Sequence, residues 1–288
     1  MGIFNFHGNT THVGFADEAY WNRGEFRAVA CVSTRLDNRD YHEVERRLCA
    51  SRCDAGAIVS EIKWAETRTR DRQRDAAAAL ETTVALASER KLRLDVLIWD
   101  ERIRHSLERM FGNRGNREVA HLQFMYRSLF SQVLARWRSI EGSAAPFWTI
   151  APDRHTGLNF RTLQREINQD AESAVDTVIE VKDVKDTLNY SIQLADLVAG
   201  LVAYSHSNSE DYEIWLRRGK QRHLVLLAPQ WQHRFPLIDA FSSRTRFSHS
   251  GVSMLEPAHG FFGKGLLTRD SDPAQTTVTI WPYTPDFF

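Results

Sequence analysis

Residues 191–200 read SIQLADLVAG, which predicts an amphipathic helix with one carboxylate in an otherwise apolar run. Together with Leu201 and Val202, the apolar side chains would cover most of the helix surface, so we expect this helix to be largely buried. An isolated ionised carboxylate in an apolar setting is very costly, so Asp196 must be paired, hydrogen-bonded or bound to a metal. Gln193 lies one helical turn earlier on the same face. The central question is therefore what Asp196 faces.

The composition is that of an ordinary globular protein. The 288 residues include 37 basic and 37 acidic side chains, and the formal net charge is zero, so bulk charge argues neither for nor against nucleic-acid binding. No apolar run approaches the ~18 residues of a membrane span, and the N-terminus lacks the features of a secretory signal. Three cysteines, a sparse and odd number, fit a reducing compartment. We therefore expect a cytoplasmic protein with no membrane partner.

The hydrophobic pattern predicts an α/β fold. A hairpin of two strands comes first, and helices and strands then alternate, which predicts a mixed sheet covered by helices. Residues 1–205 are expected to form this domain, and the aromatic, Gly- and Pro-punctuated residues 206–288 a C-terminal extension. The predicted strands are 12–16, 26–32, 57–64, 92–99, 145–152 and 175–181, and the predicted helices are 40–53, 71–91, 118–141, 160–170, 191–202 and 212–222.

Carboxylates follow several of the predicted strands. Asp17, Asp100 and Asp153 stand at strand ends, and Glu61 lies within a predicted strand. In open α/β sheets, sites form beyond the carboxyl ends of strands, where Asp196 from the late helix could join them. Converging carboxylates repel one another, and the usual resolution is a hard divalent cation such as Mg²⁺ or Mn²⁺. Two such ions activate water and stabilise the leaving oxygen in phosphodiester cleavage.

Each carboxylate also has a structural alternative. Asp and Glu are common after strands because they start turns and cap helices, so Asp100 and Asp153 fit N-terminal caps equally well. Glu61 and Lys63 share a strand face and fit a simple ion pair. Three others, Glu18, Glu101 and Asp183, are expected to be solvated. Asp17 and Asp196 are the hardest to explain structurally, because both are expected to be buried.

These motifs resemble a bacterial and phage family catalogued as domain-of-unknown-function family 3800, which has a ribonuclease H-like fold. The resemblance spans roughly residues 12 to 204 and rests on the early Asp17-Glu18, the Glu61-Ile62-Lys63-Trp64 segment, an Asp after a middle strand, and the late Gln-Leu-Ala-Asp helix. Family members typically read Asp-Glu-Ser-Gly at the first strand and Asp-Ser-Lys before the late helix. This chain instead has Asp17-Glu18-Ala19-Tyr20 and Asp183-Val184-Lys185, so the turn that aims the first carboxylates differs.

The resemblance implies a five-stranded mixed sheet and a metal-dependent nuclease-like site, with Asp17 and Asp196 as metal ligands. The family is suspected of roles in mobile elements and anti-phage defence. The sequence thus favours a phosphodiesterase, a nuclease acting on DNA or RNA, with Asp17, Glu61, Asp153 and Asp196 as catalytic residues. Lys63 would contact the scissile phosphate, and Asp100 is a further candidate metal ligand.

A non-catalytic binding or assembly module is the alternative. The altered segment after Asp17 and the neutral net charge favour it, and the extension would then supply the surface for a homodimer or a regulatory protein partner. It predicts that Asp196 is hydrogen-bonded to backbone or arginine, with no second carboxylate facing it. For nucleic acid, the arginine-dense residues 67–74 either hold phosphates or form the solvated start of a helix.

Overall fold

A six-stranded mixed sheet organises the molecule. The computed structural model describes residues 6, 8–19, 25–36, 39–56, 61–102, 117–141, 146–153, 158–170, 177–181, 189–219, 229–247, 252–255, 264–269 and 276–283. Within these ranges the strands of the main sheet are β1 (His12–Ala19), β2 (Phe26–Arg35), β3 (Arg93–Asp100), β4 (Phe147–Pro152), β5 (Thr177–Val181) and β8 (Val278–Pro282), and a separate hairpin comprises β6 (Val252–Leu255) and β7 (Gly265–Thr268).

The helices of the described ranges cover both faces of this sheet. They are α1 (Asp40–Asp54), α2 (Arg70–Ser88), α3 (Arg117–Glu141), α4 (Phe160–Asp170), α5 (Tyr190–Ser207), α6 (Ser209–Arg217) and α7 (Pro229–Phe247). None of them is long and apolar enough to cross a membrane. Helix and strand alternation therefore gives the α/β fold that the hydrophobic pattern predicts.

The strand order is β5-β4-β1-β2-β3-β8. Strand β1 runs parallel to β4 and antiparallel to β2, and β3 runs parallel to β8. The resemblance implies five strands, whereas this sheet has six, because β8 comes from the C-terminal extension and hydrogen-bonds to β3. The extension thus contributes a strand to the main sheet, and its own hairpin packs on α5 through a hydrogen bond from Leu266 N to Ser205 Oγ of 3.0 Å.

The two faces of β1 carry different side chains, as alternation along a strand requires. Phe15 and Val13 pack with Ile192 of α5 on one face. A side chain at Gly14 would instead contact Phe130 of α3 on the other face. Helix α5 therefore covers the face to which odd-numbered residues of β1 point, and α3 covers the opposite face.

Helix α5 is buried along almost its whole length, which explains its apolar composition. Its N-terminus is capped by Asn189, whose side chain accepts a hydrogen bond of 2.9 Å from Ile192 N. Glu45 of α1 adds a second cap, because its carboxylate accepts hydrogen bonds from Tyr190 N at 3.0 Å and Ser191 N at 2.9 Å. A carboxylate at a helix N-terminus satisfies free N–H groups and complements the helix dipole, so α5 is held in a fixed position along its axis.

Candidate functional site

Asp17 and Asp153 lie on neighbouring parallel strands. Asp17 is near the end of β1, and Asp153 directly follows β4. The register pairs Ala16 with Pro152, and Asp153 N donates a hydrogen bond of 2.7 Å to Ala16 O. The two carboxylates therefore come from the carboxyl ends of adjacent strands, the position at which open α/β sheets form their sites.

Asp196 approaches from the helix above this edge. Asp17 is two residues from Phe15 along β1, so its side chain points to the same face of the sheet, the face that α5 covers. Burial raises the pKa of Asp17 well above its ordinary value, and the charges of Asp196, Glu18 and Asp153 raise it further. A hydrogen bond of 2.7 Å from the backbone N–H of Glu18 offsets part of this effect. The ionised form of Asp17 is thus disfavoured unless positive charge compensates it.

These carboxylates fit a divalent cation by charge and by donor chemistry. Carboxylate oxygens are the ligands that Mg²⁺ and Mn²⁺ prefer, and a cation would relieve the repulsion that raises the pKa of Asp17. Among the residues that the structure describes, no three His, Cys, Asp or Glu side chains are arranged as a ready-made metal shell.

Asp196 also has a structural role. Its Oδ2 accepts a hydrogen bond of 2.7 Å from the backbone N–H of Trp64. Asp196 therefore shows one feature of each sequence-based alternative. It is hydrogen-bonded to backbone, as the binding module predicts. Its charge also raises the pKa of a second carboxylate, Asp17, as the metal site predicts.

The segment that carries Glu61 and Lys63 differs from the prediction. Residues 57–64 were expected to form a strand, but residues 61–63 belong to no strand and a short 3-10 helix begins at Trp64; residues 57–60 lie outside the described residues. The segment is held by α5 instead, because Gln193 Oε1 accepts a hydrogen bond of 3.1 Å from Ile62 N. Glu61 and Lys63 form an ion pair of 2.8 Å, as the structural alternative predicts.

Three residues on one face of α5 contact the 61–64 segment and hold it in place. Gln193 binds the N–H of Ile62, Asp196 binds the N–H of Trp64, and Gly200 leaves room for the Trp64 ring. A Cβ at Gly200 would lie far inside van der Waals contact with that ring. The spacing i, i+3, i+7 puts all three on one helix face, so the polar and small residues of the QLADLVAG run share one docking role.

A buried ion pair supports Gln193 from the other side. Arg52 of α1 binds Asp75 of α2 through two hydrogen bonds of 2.8 and 3.0 Å. The same guanidinium donates a hydrogen bond of 2.9 Å to Gln193 Oε1. All three side chains are buried, so the orientation of Gln193 is fixed by a charge-assisted network.

Asp100 is not brought to the Asp17 cluster. It ends β3, which β2 separates from β1, and its carboxylate accepts hydrogen bonds from Arg102 Nε at 3.0 Å and Arg102 Nη2 at 2.6 Å. Its neighbour Glu101 is buried and accepts a hydrogen bond of 2.8 Å from Trp99 Nε1. The expectation that Glu101 is solvated is therefore wrong.

Sequence reasoning missed Glu18. It was expected to be solvated, but β1 continues through it, so its side chain points to the α3 face and is only partly exposed. Tyr126 Oη donates a hydrogen bond to its carboxylate. Burial raises the pKa of Glu18 to about 7, the Tyr126 hydrogen bond opposes this rise, and the charge of Asp153 adds to it.

The other sequence candidates have local partners or lie outside the described residues. Asp183 falls in the undescribed range 182–188. In the arginine-dense run, Arg72 forms an ion pair with Glu66 at 3.0 Å and Arg74 with Asp71 at 3.3 Å. Part of that run is therefore the salt-bridged start of α2, as the structural alternative predicts.

Comparison with known proteins gives two relatives of the same organism. The chain matches no known protein-family profile. It is 28% identical over 290 aligned positions to "Uncharacterized protein ORF2" of Methanothermobacter thermautotrophicus, and 26% identical over 290 positions to "Uncharacterized protein ORF2'" of that organism. Each alignment covers 94% of this chain and 94% of the relative. Because 94% of the chain is covered, the similarity includes most of the C-terminal extension as well as most of the preceding domain.

Proposed function

We propose that the chain is a metal-dependent phosphodiester hydrolase, a nuclease acting on DNA or RNA. The observation that carries this proposal is the placement of Asp17 and Asp153 at the carboxyl ends of two parallel strands, under the helix that carries Asp196; the charges of Asp196 and Asp153 both raise the pKa of Asp17. Such clusters are costly to fold without a counter-charge. Mg²⁺ or Mn²⁺ supplies that charge, and it suits a phosphate-containing substrate as well as the protein.

In this proposal the three aspartates hold the cation at the sheet edge. When bound, divalent cations activate water and stabilise the charge on the leaving oxygen of a phosphodiester. Lys63 neutralises a phosphate oxygen, and Glu61 orients Lys63 through the ion pair of 2.8 Å. Asp196 additionally fixes the Lys63–Trp64 backbone through its bond to Trp64 N, which couples metal binding to the position of the lysine.

A ribonuclease H-like core is the finer fold proposal. Its support is the group β5-β4-β1-β2-β3, a contiguous five-stranded mixed sheet with the aspartates on its two central parallel strands and with α5 packed across it. Strand β8 would then be an addition to that core. The family resemblance in the Gln-Leu-Ala-Asp helix points the same way.

Cleavage assays test the activity. Labelled single- and double-stranded DNA and RNA are incubated with Mg²⁺, Mn²⁺ or EDTA, and wild type is compared with Asp17→Asn and Asp196→Asn. The matched control is Asp170→Asn, which changes an exposed carboxylate bound to Arg127 and Ser131. We expect metal-dependent cleavage that falls by at least about a hundredfold in both site variants and persists in the control. Wild-type protein that is folded and cleaves none of these substrates contradicts the proposal.

The Asp196→Asn variant separates the two roles of this residue. An asparagine side-chain oxygen can still accept the hydrogen bond from Trp64 N, whereas the negative charge is lost. If the metal role is correct, this variant has an unfolding free energy no lower than that of wild type and loses Mn²⁺ binding, measured by the EPR signal of free Mn²⁺.

A non-catalytic binding module is the second candidate. The Asp196–Trp64 hydrogen bond favours it, because it gives the half-buried carboxylate a structural role without a metal. This candidate predicts that wild-type protein leaves the EPR signal of free Mn²⁺ unchanged. Mn²⁺ binding that disappears in Asp17→Asn would exclude it.

A further inference from the structure

A buried arginine of the C-terminal extension contacts the candidate site. Arg234 on α7 is fully buried. Its guanidinium lies over the ring of Trp64, with 4.7 Å from Cζ to the ring centroid, and over the ring of Tyr204 at 4.9 Å. Arginine stacked on aromatic faces in a desolvated setting is a favourable contact, so α7 is joined to α5 through Trp64.

The same guanidinium binds the backbone of the 64–67 segment. Arg234 Nη2 donates hydrogen bonds to Trp64 O at 3.0 Å and to Ala65 O at 3.4 Å. Arg234 Nε donates to Thr67 Oγ1 at 3.2 Å, and that hydroxyl donates to Trp64 O at 2.8 Å. A planar fork with several donors can satisfy these acceptors together, which a lysine ammonium cannot do with the same geometry.

Trp64 is therefore held from both sides. Its N–H is bound by Asp196 at 2.7 Å, its carbonyl is bound by Arg234, and its ring packs between Gly200 and the guanidinium. The residue before it is Lys63, which pairs with Glu61. A shift of Trp64 would consequently move both the lysine and a hydrogen-bond partner of Asp196.

We propose that Arg234 is a positioning residue that fixes the Lys63–Trp64 backbone against Asp196, so that the C-terminal extension is an integral part of the site. As far as Lys63 and Asp196 act on a substrate, this inference rests on the proposed function. The extension then contributes to the reaction from within the fold, in place of serving only as a surface for a partner.

The free-energy cost of burying Arg234 is consistent with a role in positioning the Trp64 backbone. Desolvation is the main cause that lowers the pKa of Arg234, to about 10, so the guanidinium remains charged at neutral pH. An apolar side chain of similar volume would avoid the desolvation cost. It would leave the carbonyls of Trp64 and Ala65 without this donor, and a buried acceptor without a partner is destabilising.

Hydrogen exchange at the Trp64 amide tests whether Arg234 fixes the Trp64 backbone, and it does not depend on catalytic activity. The variants are Arg234→Lys and Arg234→Met. The control is Arg244→Met, which changes another arginine of α7 and removes its exposed ion pair with Glu81 of α2. We expect exchange at Trp64 to accelerate by about tenfold or more in both Arg234 variants, as for the loss of a hydrogen bond to a charged group, and not in the control. Exchange at the wild-type rate in folded Arg234→Lys overturns the inference.

Metal binding and kinetics then test the consequence for the site. In Arg234→Lys we expect weaker Mn²⁺ binding and a lower kcat with KM nearly unchanged, and partial recovery of both when guanidinium is added to Arg234→Ala. A folded variant with wild-type Mn²⁺ affinity and kcat overturns the positioning role. If wild-type protein itself neither binds Mn²⁺ nor cleaves, the proposed function fails. The exchange result still decides whether Arg234 fixes the Trp64 backbone.

Discussion

The backbone N–H of Trp64 lies 2.7 Å from Oδ2 of Asp196, the one carboxylate of the buried helix α5. This contact joins the most costly residue of α5 to the segment that carries Lys63. It also gives the helix motif a physical meaning, because Gln193 and Gly200 contact the same segment from positions one turn to either side. A carboxylate that binds a peptide N–H is held in one orientation, and a fixed orientation is what a metal ligand requires.

The Gly200→Ala variant is predicted to destabilise the protein. The added Cβ would overlap the Trp64 ring, which Arg234 and Tyr204 hold from other directions, so the ring cannot easily withdraw. Overpacking of this kind costs about 1–3 kcal/mol, and we expect the upper part of that range from urea unfolding. Gly8→Ala is the control, since nothing lies within 4 Å of a Cβ there. Equal loss in both variants would mean that the Trp64 contact is not tight.

The Asp75→Ala variant is predicted to lower the free energy of unfolding by about 3–5 kcal/mol, the usual cost of leaving one partner of a buried ion pair uncompensated. Arg52 would lose two hydrogen bonds while remaining buried against Gln193. Asp71→Ala on the same helix is the matched control, because its ion pair with Arg74 is exposed and exposed pairs contribute little. A loss at Asp75 no larger than the loss at Asp71 would show that the network does not support Gln193.

The helices and the first strands were predictable because their patterns are local. Helix α4 (Phe160–Asp170) begins and ends where the 3.6-residue period predicts. Strand β8 was not assigned from the sequence, although residues 277–280 read TVTI and alternate Thr with apolar residues, the two-residue period of a strand. Its place beside β3 depends on a contact between residues about 180 positions apart, such as the hydrogen bond from Arg93 Nη1 to Thr276 O, separated by 183 positions.

The error at residues 57–64 has an instructive cause. Extended backbone alternates its side chains between two faces whether or not it joins a sheet. In the described part of that range, the N–H groups of Ile62 and Trp64 donate to the side chains of Gln193 and Asp196. Lys63 has an extended backbone, as the alternation predicts, and Trp64 already begins the 3-10 helix. The alternation could not identify the hydrogen-bond partners of the segment.

The convergence of carboxylates was predictable only in part. Asp17 and Asp153 could be paired from the rule that parallel strands end at one edge. Asp196 was included because of the cost of its expected burial, but the structure leaves it half-buried. The exclusion of Asp100 depends on strand order, which places β2 between β3 and β1. Strand order is a property of the whole fold, so the sequence pattern alone could not distinguish Asp100 from Asp17 and Asp153.

Removal of residues 206–288 is predicted to prevent cooperative folding of the remaining fragment. The fragment would lose β8 from the edge of β3, and with it the stacking of Arg136 on Trp281 at 4.1 Å. It would also lose Arg234 from the Trp64 segment. We expect no sigmoidal thermal transition by circular dichroism for residues 1–205, in contrast to the full chain. A fragment that unfolds cooperatively would instead support an independent N-terminal domain.

The stability of the full chain is predicted to fall in acid partly through Glu141. Burial alone would raise the pKa of this carboxyl, but hydrogen bonds and charges from His12 and Arg35 outweigh it and hold the pKa below 4.5. Because the folded-state pKa lies below the unfolded one, the stabilisation is complete above the unfolded pKa and is lost as the pH falls through the folded pKa.

The difference in unfolding free energy between wild type and Glu141→Gln measures this contribution. We expect the difference to shrink as the pH decreases below 4.5, the ordinary value for the group. Glu81→Gln, which alters an exposed pair with Arg244, should give a small difference throughout. A Glu141→Gln difference that stays constant down to about pH 3 would show that the charge of Glu141 is not what His12 and Arg35 stabilise.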